Sequence, residues 1–538
     1  MRIAMFAAAL LVAGGAPLLA QQPGVDALHY RFALTLPDSG PHLDVAATVR
    51  FARRAGVDTL RLDLLAPMRV TGATVGCASA ADAPVTHNGR VVRIALPRAA
   101  AADTLCATVR YAGAPPDGLV ISTDSAGRWQ AFGDNWPDRG RHWLASIDHP
   151  SDKATVEWVV DAPADRRVVA NGTLRAQEYL PGRRRRTTWA TLAPIPTYLM
   201  VIAAAPLVAH DLGQTACGLA SVERCVPQQV FTAPEQARFM PGRFAEADAI
   251  VRFFSRLVGP FPYEELKHLQ SSTRFGGMEN AGAIFYADRL FRTPDGVGVQ
   301  LIAHETAHQW FGNAVTEREW GHLWLSEGFA TYFAALYTEH ARGAAAFAED
   351  LRGMRDEVTS AKVVAERPVL DTAQTVLLEL LNANSYPKGG FVLHMLRREV
   401  GDSAFFRGIR AYWTPRVHGT ALTDDLRAVM EREAGRDLRW FFDQWLRRPG
   451  FAELEVRWTQ QGEGGPLAVT VTQGARFAPY RFPLWLEVED GAGARALVRV
   501  EVPAARATTV TTRERFAGRV RAVTVDPRAD LLATIRTP

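Results

Sequence analysis

Apolar and polar positions alternate in short runs from Leu28 to Ala205. Examples are Leu43–Val49, Val91–Leu96 and Thr155–Val160, separated by clusters of Gly, Pro, Asn and Asp. A period of two bounded by turn residues predicts strands, so this stretch reads as an N-terminal β domain. Asn171-Gly172 lies between Val168-Val169-Ala170 and Thr173-Leu174 and predicts a two-residue hairpin turn. Near residue 233 the period lengthens to that of a helix. It persists through Pro234–Val258, Gly298–Phe311, Glu327–Ala341, Ala344–Val358, Lys388–Val400 and Thr423–Ala434. After Arg448-Pro449-Gly450 the alternation returns, in Ala452–Trp458, Leu467–Gln473, Leu484–Glu489, Ala496–Val502 and Ala522–Val525. A small C-terminal β-sandwich fits these strands. The expected divisions are a leader at 1–20, a β domain at 21–207, a mostly helical domain at 208–449 and the sandwich at 450–538. The fold class is α+β, multidomain.

Composition adds limits. The chain has 538 residues, 48% hydrophobic and 22% charged, which supplies core material for several domains. Sixty-one basic against 57 acidic residues leave a net charge of +4. That balance excludes a nucleic-acid surface as the basis of function. The basic run Arg183–Arg186 follows Pro181-Gly182 and reads as a solvated hairpin turn.

The first 20 residues resemble a secretory leader. Arg2 precedes the apolar run Ile3–Val12, Gly14, Gly15 and Pro17 break it, and Ala20-Gln21-Gln22 offers a cleavage point. The other reading is an uncleaved anchor; after cleavage no stable membrane span is expected. Four cysteines, Cys77, Cys106, Cys217 and Cys225, permit three pairings. In an exported chain the local pairs Cys77–Cys106 and Cys217–Cys225 are expected; four free buried thiols would instead imply a reducing compartment.

The chemistry concentrates at His304-Glu305-Thr306-Ala307-His308. Residues i and i+4 share a helix face, so both imidazoles reach one metal ion, with Glu305 beside them as a general base. Leu301, Ile302, Ala303, Ala307, Trp310 and Phe311 surround the motif, so its helix is expected to be buried. Two buried histidines and an acid need a partner, and Zn2+ supplies one. Glu327, inside Leu323–Tyr332, is the expected third ligand, with Ser326 as cap of the helix beginning there. His322 is the rival ligand.

With eighteen residues between His308 and Glu327, this pattern resembles the M1 family of zinc aminopeptidases, gluzincins related to thermolysin. Gly276-Gly277-Met278-Glu279-Asn280 is similar to that family's exopeptidase motif. Tyr386-Pro387-Lys388-Gly389-Gly390 resembles the segment carrying its catalytic tyrosine, and Asp443-Gln444-Trp445 the end of its catalytic domain. The resemblance implies a thermolysin-like catalytic domain and one zinc per chain on His304, His308 and Glu327. It implies Glu305 as base and Tyr386 as oxyanion donor. Gly276, Gly277, Met278, Glu279 and Asn280 would bind substrate, with Glu279 gripping the α-amine of peptides that have a free N-terminus. The glycines would let the peptide backbone lie close. About 90 strand-like residues follow the catalytic domain, where many members carry a large helical one, so a more open cleft is expected. The family's amine-binding glutamine has no clean counterpart; Asp134 or Asn135 is the candidate replacement. The competing readings are a thermolysin-like endopeptidase and a catalytically dead binding scaffold. The preferred N-terminal residue and the oligomeric state are not readable from the sequence.

Overall fold

The computed structural model describes residues 22–98, 101–124, 126–215, 225–293 and 296–538. The leader segment and Cys217, with its expected bond to Cys225, lie outside the described residues. Cys77 and Cys106 are disulfide-bonded.

The N-terminal region is β-rich. A nine-stranded sheet is built on Val25–Thr35, which pairs with Leu43–Arg53 on one side and Lys153–Pro163 on the other. Alternate residues of these strands face inward: Phe32 stacks on Trp158, and Trp158 on Trp143. A four-stranded sheet holds Arg167–Ala170, Ile202–Ala205, Trp129–Gly133 and Leu119–Thr123.

Asn171-Gly172 does not close a hairpin. Arg167–Ala170 pairs with Ile202–Ala205, while Thr173–Leu180 pairs with Arg184–Ala190 in the other sheet. The chain turns there because Asn171 is fully buried and serves as a cross-link. Its amide donates to the Leu199 and Ala281 carbonyls, and its oxygen accepts from Val201 N. Gly172 has φ +76°, and a Cβ there would sit 2.1 Å from Ala190 O.

The catalytic region starts with a five-stranded sheet: β1 (Val208–Thr215), β2 (Val226–Thr232), β3 (Leu266–Ser271), β4 (Gly277–Met278) and β5 (Ala283–Ala287), in the order β1-β2-β3-β5-β4. Helices follow, among them α1 (Val299–His308), α2 (Trp324–Arg342) and α3 (Gly389–Val400). The expected helix over 234–258 is broken into a 3-10 turn at Pro234–Phe239, a short turn at Met240–Arg243 and a helix at Ala247–Leu257. Helix α2 starts three residues before Glu327, so Ser326 lies within its first turn and does not cap it. A π-turn at Asn384–Lys388, containing Pro387, leads into α3. Helices α2 and α3 touch backbone to backbone: a Cβ on Gly328 would meet Gly389 C at 2.8 Å. That contact places Tyr386 against the N-terminal turns of α2.

The C-terminal region is a sandwich. Ala507–Thr511, Leu467–Gln473, Ala452–Gln460 and Ala533–Arg536 form one sheet; Arg495–Val502, Phe482–Glu489 and Ala522–Val525 form the other. It is tied to the helices by His394 Nε2 to Asp530 Oδ1 at 3.0 Å and by Arg355 to Asp526 at 2.8 Å. Among the described residues no helix is long and apolar enough to cross a membrane.

Replacing a helix-interior glycine with alanine normally gains about 1 kcal/mol of helix propensity. At Gly328 the steric conflict with Gly389 opposes it, and overpacking costs about 1–3 kcal/mol. Gly328→Ala is therefore expected to lower the melting temperature. A rise in Tm by thermal denaturation would remove the tight α2–α3 contact as a constraint.

Candidate metal and substrate site

Two elements bring the metal-binding residues together. Helix α1 presents His304 and His308 one turn apart, and α2 crosses it with Glu327. The His304 and His308 Nε2 atoms are 3.1 Å apart, and Glu327 Oε2 lies 3.3 Å from each. Donor atoms about 2.0–2.1 Å from a tetrahedral zinc are separated by about 3.3 Å, so this triangle has the dimensions of one face of a zinc tetrahedron. Glu327 Oε2 is buried without a hydrogen-bond partner. Such an orphaned carboxylate oxygen between two imidazoles, with a neutral-nitrogen and carboxylate donor set, fits Zn2+.

The second contacts of His308 orient it. Its Nδ1 lies 3.1 Å from Ser326 Oγ and 3.2 Å from Phe311 O. A carbonyl can only accept, so Nδ1 carries the hydrogen and Nε2 keeps its lone pair for the metal. Ser326 thus orients a ligand, where the sequence suggested a helix cap. Gly312 makes room for this: its φ is +105°, and a Cβ would sit 2.2 Å from Ser326 Oγ. His322 is elsewhere, with Nδ1 accepting from Thr423 N at 3.0 Å, so it is not in the ligand set.

Glu305 and Glu279 lie on the other side of His308. One carboxylate oxygen of each and a His308 ring nitrogen all fall within 4.8 Å of one another. Burial pushes the Glu305 carboxyl well above its ordinary pKa, with Glu279 and Glu327 adding to the rise and His308 opposing it. Glu279, 5% exposed, is raised for the same first reason. Glu327 moves the other way: burial opposes, but His308 and His304 together hold its carboxyl below the usual range.

The two glycines of the exopeptidase-like motif have different jobs. A Cβ on Gly277 would sit 2.1 Å from Glu305 Oε1. Its missing side chain is therefore filled by the carboxylate of Glu305, a reason the sequence did not reveal. At Gly276 the nearest atom to such a Cβ is 4.0 Å away, so space is open there. Met278 and Asn280 are buried, Asn280 completely.

Tyr386 stands opposite. Its ring stacks on His304, centroids 6.0 Å apart and planes 11° apart. Burial, then the Glu327 carboxylate, raises its phenol well above the ordinary value, so it stays a hydrogen donor. Asn135 is consumed by structure: its amide donates to Met200 O and Thr197 O and its oxygen accepts from Trp143 Nε1. Asp134 is fully buried and paired with Arg139 at 2.9 Å. The sequence also hid two residues of the β domain that grip the segment after α1. Tyr198 donates its hydroxyl hydrogen to Gly312 O at 3.1 Å, and Lys153 Nζ donates to the Asn313 and Ala314 carbonyls, both at 3.0 Å. Burial lowers the Lys153 pKa to about 7 against an opposing pull from Glu317.

Fold and site together define a protein built to hold one zinc ion between two crossing helices, under a β domain and beside a sandwich. A family model for the peptidase family M1 domain matches residues 245–445, and one for the peptidase M1 N-terminal domain matches residues 86–199. The chain belongs to peptidase family M1. It is 28% identical over 373 residues to "Aminopeptidase N" of Streptomyces lividans, covering 64% of this chain and 41% of that protein. It is 26% identical over 346 residues to "Glutamyl aminopeptidase" of Homo sapiens, covering 60% of this chain and 34% of that one. The chain thus spans about two fifths or less of the length of these relatives. Among solved structures, the M1 zinc metallopeptidase of Deinococcus radiodurans superposes with TM-score 0.67 at 27% identity, covering 78% of this chain and 93% of that one. A point mutant of the same neighbour has been solved bound to a Tyr-Ser-Ala substrate, in a structure that is 26% identical with TM-score 0.67 and covers 79% of this chain and 94% of that one.

Gly277→Ala is expected to displace Glu305 while leaving the three ligands in place. Zinc content should match the parent, and kcat should fall by about tenfold or more, as a misplaced base costs. Unchanged kcat would show that Glu305 does not depend on Gly277.

Proposed function

We propose that the protein is an exported zinc aminopeptidase that removes the N-terminal residue from peptides. The observation that carries this reading is the approach of Glu279 and Glu305 to His308 within 4.8 Å, which sets a buried acid suited to an ammonium group beside the metal ligands. An internal peptide bond offers no such cation and would leave Glu279 unpaired. The family matches and the aminopeptidase names of the relatives support the same reading. Export rests on the leader-like composition of residues 1–20 and on the Cys77–Cys106 bond, which suits an oxidising compartment.

In this mechanism His304, His308 and Glu327 hold the metal, and Ser326 with the Phe311 carbonyl fixes the tautomer of His308. When bound, zinc supplies Lewis acidity at the scissile carbonyl and makes a water more acidic. Glu279 anchors the substrate ammonium. The open face at Gly276 admits the peptide backbone. Glu305 takes the proton from the attacking water and delivers it to the leaving amine. Tyr386 donates its phenolic hydrogen to the oxygen that gains negative charge. Phe275 and Trp136 pack edge to face at 6.0 Å, and Trp136 and Trp320 at 5.5 Å, next to Gly276. Trp136 and Trp320 are buried in the core, so it is the tyrosine-led substrate of the Deinococcus radiodurans neighbour that supports a preference for a large N-terminal residue.

Glu305→Gln should keep zinc bound and lower kcat by about 100-fold or more, the usual contribution of a general base. Full activity in that variant refutes the role. Amino-acid amide substrates with a free amine should be cleaved, and a chelator should stop the reaction reversibly. A peptide with an acetylated N-terminus should resist. Cleavage inside the blocked peptide would establish an endopeptidase instead.

A further inference from the structure

Peptide trimming one residue at a time needs a fixed distance between the group that binds the amine and the metal that meets the carbonyl. An error of about 1 Å in such spacing costs about 100-fold in rate. In this protein two side-chain amides that follow α1 bond to the main chain of Glu279. Gln309 Nε2 donates to the main-chain carbonyl of Glu279 at 2.9 Å, and Asn313 Nδ2 donates to the same oxygen at 2.7 Å. Both residues are completely buried.

Each amide is anchored back to the metal side. Gln309 directly follows the ligand His308, and its Oε1 accepts from Gly282 N at 2.9 Å, holding the far end of the Glu279 loop. Asn313 N donates to His308 O at 3.1 Å. The Asn313 Oδ1 has no partner although it is buried. The residue therefore leaves one polar atom unsatisfied while donating to Glu279, which a packing role does not require. The Asn313 carbonyl is itself held by Lys153 of the β domain.

We propose that Gln309 and Asn313 are positioning residues that fix Glu279 relative to the zinc ligand His308 and so set the one-residue step of the reaction. The proposal rests on the aminopeptidase reading, in which Glu279 binds the substrate ammonium.

Inhibitor binding tests it without turnover. Phenylalanine hydroxamate carries both a zinc-binding group and an α-amine; 3-phenylpropionohydroxamate has the same zinc-binding group and no amine. The ratio of their inhibition constants in the zinc-loaded protein reads amine recognition alone. In the parent protein the amine-bearing compound should bind more tightly. Asn313→Ala, the isosteric Asn313→Asp, which removes the donor without a cavity, and Gln309→Leu should each shrink that advantage by about tenfold, the effect of one mis-set charged contact. Zinc content and the constant for the amine-free compound should not change. Variants that keep the parent ratio overturn the proposal. So do variants in which both compounds weaken together as zinc is lost, because the amides then support the metal helix only. If the parent itself shows no preference for the amine-bearing compound, the aminopeptidase reading fails first, in a measurement made without any variant.

Discussion

The structure depends on gathering titratable groups that would each be costly to bury alone. His304, His308, Glu305, Glu279 and Glu327 converge in an apolar interior, and three of their atoms form a triangle with sides of 3.1 to 3.3 Å. Desolvation of this kind costs several kcal/mol per ion unless a counter-charge is present. A divalent cation at the centre would resolve the conflict for the ligands, and under the proposed function a substrate ammonium would do so for Glu279. Stability and chemistry share one origin: the site is completed by what it binds.

Around this centre, backbone contact replaces side-chain packing at three places. Gly277 yields its side-chain space to the Glu305 carboxylate, Gly312 to Ser326, and Gly328 to the backbone at Gly389. Each removal brings groups closer than any Cβ would allow: Glu305 to the strand at Gly277, the Ser326 hydroxyl to His308, and the start of α3, just after Tyr386, to α2. The glycines are therefore part of the active geometry even though none of them carries chemistry.

The β domain is bonded directly to the catalytic region. Asn171, Tyr198 and Lys153 each reach into the catalytic region and bond to main-chain carbonyls there, at Ala281, Gly312, Asn313 and Ala314. Two of those carbonyls belong to Gly312 and Asn313, which contact Ser326 and Glu279 in turn. His308, the Ser326 hydroxyl and Glu279 are thus referenced to both the β domain and the helices.

Local pattern was enough for the elements that repeat. The alternation in Val25–Thr35 and the helical spacing in Val299–His308 are properties of a few consecutive side chains, and they place the two histidines on one face with no knowledge of the rest of the fold. The spacing to Glu327 and the motifs at Gly276–Asn280 and Tyr386 were likewise legible, because each lies within one short stretch. Local preference makes Ser326 a good cap residue, but its hydroxyl is claimed by His308, eighteen positions away, and α2 begins before it. Turn preference is local and makes Asn171-Gly172 a hairpin signal, whereas the buried amide that directs the chain between two sheets bonds to Leu199 and Ala281. What the sequence by itself determined is which side chains could hold a metal: two histidines one helical turn apart and an acid at a fixed spacing. Only tertiary structure decided their separations, the reason for each glycine and the carbonyls that hold them, since those are contacts between segments that no periodicity along one chain encodes.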